Sequence, residues 1–171
     1  MIKIRSEIPA DKPAVRAVNI RAFGRPDEAD IVDRLRAACP DLVSLVATDG
    51  ATVVGHILFS PAVIEGPDRE IEGMGLAPMA VLPEYQRRGI GSDLVAAGLA
   101  ALMARACPFV IVLGHPEYYP RFGFVPASRH GVRCPWDGIP DDVFMMRVLD
   151  EAAMHGVAGR ARYRPEFDVA V

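Results

Sequence analysis

The sequence predicts an α+β fold: a mixed, mostly antiparallel sheet with helices on both faces. Three observations support this. Two β-rich runs flank Thr48-Asp49-Gly50-Ala51, whose Asp-Gly pair favours a tight hairpin, so they are adjacent antiparallel strands. A strand, a one-faced helix and a second strand follow within residues 74–113, and a crossover helix joins parallel neighbours. With 171 residues, 51% of them hydrophobic, the chain can bury one substantial core, and its length favours a single domain over residues 1–171.

The elements follow in order. Ile2-Lys3-Ile4-Arg5 alternates apolar and polar as a short strand does. Ala10-Asp11-Lys12-Pro13 offers Asp11 as an N-cap with proline in the first turn, and a helix runs on to Phe23. Ile31, Val32, Leu35 and Ala38 fall at helical spacing in a second helix from Asp27, closed by Pro40. Asp27 and Glu28 are first-turn acids that complement its dipole. Residues 42–47 and 53–59 are the hairpin strands, Gly66-Pro67-Asp68 is a turn, and residues 74–82 form the third long apolar run. From Ile90 the apolar positions Leu94, Val95, Leu99, Leu102 and Met103 mark one helix face, ended by Pro108. Phe109-Val110-Ile111-Val112-Leu113 is short and β-branched, hence a buried strand. Residues 117–122 can make a single helical turn, and residues 123–125 resume extended structure. A polar, Pro/Gly-rich stretch over 126–140 precedes a last strand over 143–149. The tail over 159–171, with Tyr163, Phe167 and Val169, has the makings of an edge strand, within one chain or across a homodimer.

Composition excludes several classes of partner. A net charge of −3 and a pI near 5.8 provide no basic field for nucleic acid or anionic lipid. The three cysteines, Cys39, Cys107 and Cys134, are odd in number and lack paired spacing, which argues against a disulfide framework or a metal site. No leader pattern and no uninterrupted apolar run of membrane length occur, so a cytoplasmic location is expected.

The chemistry gathers at one junction. Gln86-Arg87-Arg88-Gly89-Ile90-Gly91 lies between a strand and a helix, where a side-chain-poor turn, unpaired N–H groups and the positive end of the helix dipole form an anion site. Arg87 and Arg88 are either solvated charges or partners of that anion. Just upstream, Pro78 interrupts a run that looks central to the sheet; lacking an N–H, it implies a bulge. A bulge there splays this strand from the parallel strand and frees the main chain of Met79, Ala80 and Val81 for an extended, amide-bearing ligand arm. A ligand with amides at one end and a diphosphate at the other has the description of coenzyme A. The Rossmann pattern fails, because Leu94 stands where its third glycine belongs and Ile111 and Val112 where its acid belongs. No Gly-Lys-Ser/Thr tripeptide exists for a P-loop. Tyr119 follows the C-terminal end of the parallel strand, where open sheets place ligands; it is either a site residue or an ordinary half-buried tyrosine. His115 reads as a turn residue, His56 as a packed imidazole, and Trp136 as part of a surface loop.

These residues resemble a known family. Gln86-Arg87-Arg88-Gly89-Ile90-Gly91 is similar to the Gln/Arg-x-x-Gly-x-Gly/Ala signature of the GNAT superfamily of acetyl-coenzyme A-dependent N-acetyltransferases. Residues 76–83 resemble that family's bulged fourth strand, and Tyr119-Pro120-Arg121-Phe122-Gly123-Phe124 its Tyr-x-x-x-Gly-Phe element. The wording of these segments is most similar to the YhbS-like bacterial acetyltransferases. The resemblance implies a GNAT-like fold with a central parallel pair, a diphosphate held by the main chain from Gln86 through Gly91 and Ser92, and pantetheine and the acetyl carbonyl held by Met79, Ala80 and Val81. It implies Tyr119 as general acid, acetyl-CoA as acyl donor, no metal, and a small-molecule or protein amine as acceptor, reached by direct transfer in a ternary complex. A non-catalytic acyl-CoA-binding sensor of the same fold is the alternative. Glu84 and Glu117 are the carboxylates near enough in sequence to serve as base. Gly114-His115-Pro116 departs from the family, which often places an asparagine at this strand exit.

Overall fold

The computed structural model describes residues 1–170, with side chains through residue 168. The strands are β1 (Ile2–Ser6), β2 (Val43–Asp49), β3 (Thr52–Glu65), β4 (Glu70–Val81), β5 (Phe109–Leu113), β6 (Val125–Pro126), β7 (Val132–Arg133), β8 (Phe144–Val148) and β9 (Gly159–Arg162). The helices are α1 (Lys12–Phe23), α2 (Asp27–Ala38), α3 (Ile90–Ala104) and α4 (Glu151–Met154). The chain forms two compact units, one of Met1–Ser60 with Ala77–Ala101 and one of Pro61–Leu76 with Leu102–Val169.

In the first unit β2 pairs antiparallel with β1 and β3, and the hairpin turns through Gly50 at φ 59°. The expected Asp-Gly turn is therefore present. Val46, Val54, Ile57, Leu58 and Phe59 are fully buried, as are Val15 and Leu35 of α1 and α2. Burying a side chain of this size stabilises by roughly 1.5–3 kcal/mol. Arg16 of α1 joins α2 through Asp30 at 2.9 Å and Asp33 at 2.8 Å. Two glycines seat α3 on β3: a Cβ on Gly55 would stand 3.2 Å from Leu94 Cδ1, and one on Gly98 would stand 2.3 Å from Phe59 Cε2. Asp11 stands at the N-cap position of α1, but its side chain makes no cap bond there. Its buried carboxylate instead accepts two bonds from Arg5, at 2.6 and 3.0 Å, and one from the Ile8 N–H at 2.9 Å. These contacts, the Arg5 bonds foremost, hold its pKa below the usual carboxylate range.

In the second unit β4 runs parallel to β5 over Met74–Leu76 and Val110–Val112, β5 pairs antiparallel with β8, and β8 with β6. The strand–helix–strand expectation thus holds. Phe109, Val110 and Ile111 are fully buried, the pattern of a strand covered on both faces. The tail contributes a strand within the chain, but not an edge: β9 pairs antiparallel with β3 and parallel with β7, so it has a neighbour on each side. Val171 and the Val169 side chain lie outside the described residues. The stretch over 126–140 is more ordered than a loop, since it holds a 3-10 turn at Ala127–His130 and β7. β3 continues to Glu65 rather than stopping at Phe59. Pro61 is tolerated because pairing with β2 ends at Phe59 and pairing with β9 begins at Val63, so no ladder donor is needed at that position on this edge.

Among the described residues no helix is long and apolar enough to cross a membrane, and no cluster of His, Cys, Asp or Glu is arranged to hold a metal. Cys39, Cys107 and Cys134 form no disulfide among the described residues.

Candidate active site

The cradle is built by the chain between β4 and α3. A cis peptide lies at Ala77–Pro78, one residue after the last parallel pair, and Met79, Ala80 and Val81 complete β4 beyond it. The Leu82 N–H donates to the Val54 carbonyl at 2.9 Å, which anchors the strand end, and a 3-10 turn over Pro83–Tyr85 leads into the loop. Gln86 folds back, its Nε2 donating to the Val81 carbonyl at 3.0 Å. Gln86 therefore braces the loop against the strand with its side chain.

Arg87 at φ 62° and Gly89 at φ 83° are left-handed residues two positions apart. Such a coil spends no N–H on a ladder: among the described residues the N–H groups of Arg87, Arg88 and Gly89 donate to no protein acceptor. The space beside Gly89 is open, with no heavy atom within 4 Å of an added Cβ. The first helical bond of α3 runs from the Asp93 N–H to the Gly89 carbonyl at 3.0 Å, so Ile90, Gly91 and Ser92 form the first turn, where donors face out along the positive end of the dipole. The Arg88 guanidinium rests over the Tyr85 ring at 5.1 Å, and the Tyr85 hydroxyl donates to Asp49 at 3.0 Å. Arg88 is thus held beside the cradle by an aromatic face, a contact worth about 0.5–1 kcal/mol at an exposed site.

Tyr119 opens a 3-10 turn, Tyr119–Phe122, closed by Gly123 at φ 85°. It is buried, with its ring edge-on to Tyr118 at 5.1 Å and to Phe124 at 5.6 Å. Gly114 makes room for that ring, since a Cβ there would stand 2.3 Å from Tyr119 Cε2. This gives the departure at Gly114-His115-Pro116 a packing cause. Burial, and then the neighbouring Tyr118, push the Tyr119 phenol up to about 12. His115 is a turn residue, its carbonyl accepting from the Tyr118 N–H at 3.1 Å. Glu84 is engaged by Arg21 through two bonds of 2.9 Å, which hold its carboxyl below the usual range and make it a poor base.

Ser44, His56 and Asn19 resemble a nucleophile triad but have the wrong polarity. Asn19 Nδ2 donates to the Val15 carbonyl and faces His56 Nδ1 at 3.1 Å, which makes Nδ1 the acceptor and leaves the proton on Nε2. His56 Nε2 then donates to Ser44 Oγ at 2.9 Å instead of taking its proton. His56 is the packed imidazole expected of it. Trp136 is not simply a surface residue: it stacks on Tyr163 at 5.2 Å and 24°. Glu72 and Tyr163 line a cleft assembled from three separate segments, and no local motif marks it.

Comparison with known proteins agrees with this geometry. The family model described as acetyltransferase (GNAT) domain matches residues 3–127. The chain is 37% identical over 166 residues to the uncharacterized N-acetyltransferase YhbS of Escherichia coli, covering 96% of this chain and 98% of that protein. It is 42% identical over 152 residues to the uncharacterized N-acetyltransferase YjhQ of the same species, covering 85% and 83%. The crystal structure of Escherichia coli YhbS in complex with CoA superposes with a TM-score of 0.90 at 36% identity, covering 98% of this chain and 92% of that one. A Brucella melitensis GNAT family acetyltransferase in complex with acetyl-CoA superposes with a TM-score of 0.80 at 34% identity, covering 98% and 99%. An α+β sheet with its parallel pair, an exposed row of N–H donors at the start of α3 and these relatives agree: the chain belongs to the GNAT family of N-acetyltransferases.

Proposed function

We propose that the protein transfers the acetyl group of acetyl-CoA to a primary amine, directly, in a ternary complex. The observation that carries this reading is the row of undonated N–H groups at Arg87, Arg88 and Gly89, beside open space and at the head of α3. These donors fit a diphosphate, with Gln86 bracing the loop and Ile90, Gly91 and Ser92 adding the first helical turn. Relatives in complex with CoA and with acetyl-CoA support the same ligand. The main chain of Met79, Ala80 and Val81 is the segment proposed to hold pantetheine and to donate to the acyl carbonyl, an interaction typically worth ~2.7–4 kcal/mol per donor.

When bound, acetyl-CoA supplies an activated thioester. The chain's part is to orient it and to manage protons. Tyr119 is proposed to carry the proton for the departing sulfur on its hydroxyl. A phenol near 12 is a far weaker acid than a thiol of pKa about 8.5, so this hydroxyl donates a hydrogen bond that tightens as charge develops and does not protonate the sulfur in advance.

Titration calorimetry with CoA, paired with thiol release over a panel of amines, tests the reading. Wild-type protein is expected to bind CoA and to release thiol with at least one amine. Gly91→Val, folded by circular dichroism, is expected to bind CoA more weakly because a branched side chain enters the phosphate approach. Wild-type CoA affinity in that variant refutes the cradle, and tight binding with no thiol release for any amine identifies a sensor.

A further inference from the structure

The Asp49 side chain is not spent on the hairpin turn that it begins. Its Oδ2 accepts from the Tyr85 hydroxyl at 3.0 Å, across 36 residues of sequence, and its Oδ1 faces the Met1 ammonium at 3.3 Å. The Tyr85 bond, with the Met1 ammonium adding to it, holds the Asp49 carboxyl below its ordinary range, and the same bond raises the Tyr85 phenol. Around neutral pH one group is therefore a carboxylate and the other a protonated donor. Such a charge-assisted bond is roughly twice as strong as a neutral one.

Tyr85 is a fixed post. It closes the 3-10 turn Pro83–Tyr85, and that turn is pinned at two neighbouring residues: the Leu82 N–H bonds the Val54 carbonyl at 2.9 Å, and Glu84 accepts two bonds of 2.9 Å from Arg21 of α1. The bond to Asp49 then sets the plane of the ring. On that ring lies the Arg88 guanidinium, 5.1 Å from its centre, and no carboxylate pairs with it among the described residues. An exposed arginine gives up rotamer freedom when it grips an anion; one already stacked on a fixed ring has given up part of it beforehand. Arg87 has no such support, since among the described residues its side chain meets neither a ring nor a carboxylate.

We propose that Asp49 and Tyr85 are positioning residues for the acyl donor: the carboxylate orients the ring, and the ring aims the Arg88 guanidinium at a phosphate of the donor's nucleotide end. The proposal rests on acetyl-CoA being the donor, and it gives a use to two residues outside the Gln86–Gly91 segment. It also separates two arginines that look alike in sequence. Arg88 is the partner of the anion, and Arg87 is a solvated charge whose left-handed backbone, at φ 62°, shapes the loop. The donor carries a diphosphate and a 3′-phosphate, and either suits the planar fork of a guanidinium.

Titration calorimetry on the full chain with CoA and with 3′-dephospho-CoA tests this. Arg88→Gln is expected to weaken CoA about tenfold, and Arg87→Gln at most about twofold. Tyr85→Phe keeps the ring but frees it from Asp49, and Asp49→Asn keeps the hairpin because Asn-Gly serves that turn equally well. Each is expected to weaken CoA about two- to fivefold, and each loss to vanish in the Arg88→Gln background, because both act through that guanidinium. A merely structural role would add to the Arg88→Gln loss instead of disappearing into it. In the ligand-free protein, the order parameter of the Arg88 Nε from nitrogen relaxation is expected to exceed that of Arg87 and to fall in Tyr85→Phe. A loss shared by 3′-dephospho-CoA assigns Arg88 to the diphosphate, and a loss confined to CoA assigns it to the 3′-phosphate. The proposal is overturned if Arg88→Gln leaves CoA affinity intact, if the Tyr85→Phe and Asp49→Asn losses persist in the Arg88→Gln background, or if the Arg88 side chain is as mobile as that of Arg87. Wild-type protein that binds no CoA sinks the donor reading and this proposal with it, whereas wild-type binding untouched by these variants sinks the positioning role alone.

Discussion

Tyr119 shows what one residue must reconcile. In its proposed role it needs an exchangeable proton, yet its ring is packed against Tyr118, Phe124 and the bare face of Gly114, and burial has raised its pKa to about 12. The sign of that shift fixes its pH behaviour. The hydroxyl is protonated from neutrality to well above pH 10, so its own ionisation does not lower kcat anywhere in the usual assay range. Tyr119→Phe is expected to keep the fold and CoA affinity while lowering kcat by roughly 10²–10⁴ where chemistry limits the rate. Single-turnover kinetics with the best amine of the panel checks this. An unchanged rate removes Tyr119 from the chemistry and leaves it as packing.

At the scale of elements, α3 carries the cradle and is positioned by what two glycines leave out. Gly98→Ala would gain about 1 kcal/mol in helix propensity, but its Cβ would stand 2.3 Å from the fully buried ring of Phe59, and overpacking of that kind costs about 1–3 kcal/mol. The expected balance is a net loss, read as a lower urea midpoint at unchanged m-value; a gain in stability would show that Phe59 yields freely. Elements with strong local signals were legible in the sequence. α2 begins at Asp27 and α3 at Ile90 because periodicity and punctuation agree there, and β5 is the apolar run Phe109–Leu113 itself. β9 was legible only as an unassigned strand. Its Gly-Arg-Ala-Arg has little strand propensity and is held extended by pairing with β3 and β7. The proposed cradle could be singled out because its residues are contiguous in sequence. The cleft of Glu72 and Tyr163 could not, because it exists only once β3, β4 and β9 come together.

For the molecule as a whole, the buried imidazole of His56 ties stability to pH. It is wholly buried between Asn19 and Ser44, and burial, with the charge of Arg36 adding to it, lowers its pKa from 6.5 to about 3. In the unfolded chain the same ring takes a proton below pH 6.5, whereas the native ring refuses it until about pH 3. Between those values the unfolded state binds more protons, so the native state loses stability as pH falls, by up to ~1.4 kcal/mol per pH unit. Asp11, Glu84 and Glu166, whose carboxyls are held low by Arg5, Arg21 and Arg164, act in the same direction but only near and below their unfolded pKa of about 4. The interval from pH 6.5 down to 5 therefore belongs to His56. Urea unfolding at pH 7, 6 and 5 is expected to show a falling midpoint in the wild type and a nearly level one in His56→Gln, an uncharged replacement that can still hydrogen-bond. Equal slopes in the two proteins would mean that protonation of this ring is not what couples the fold to pH.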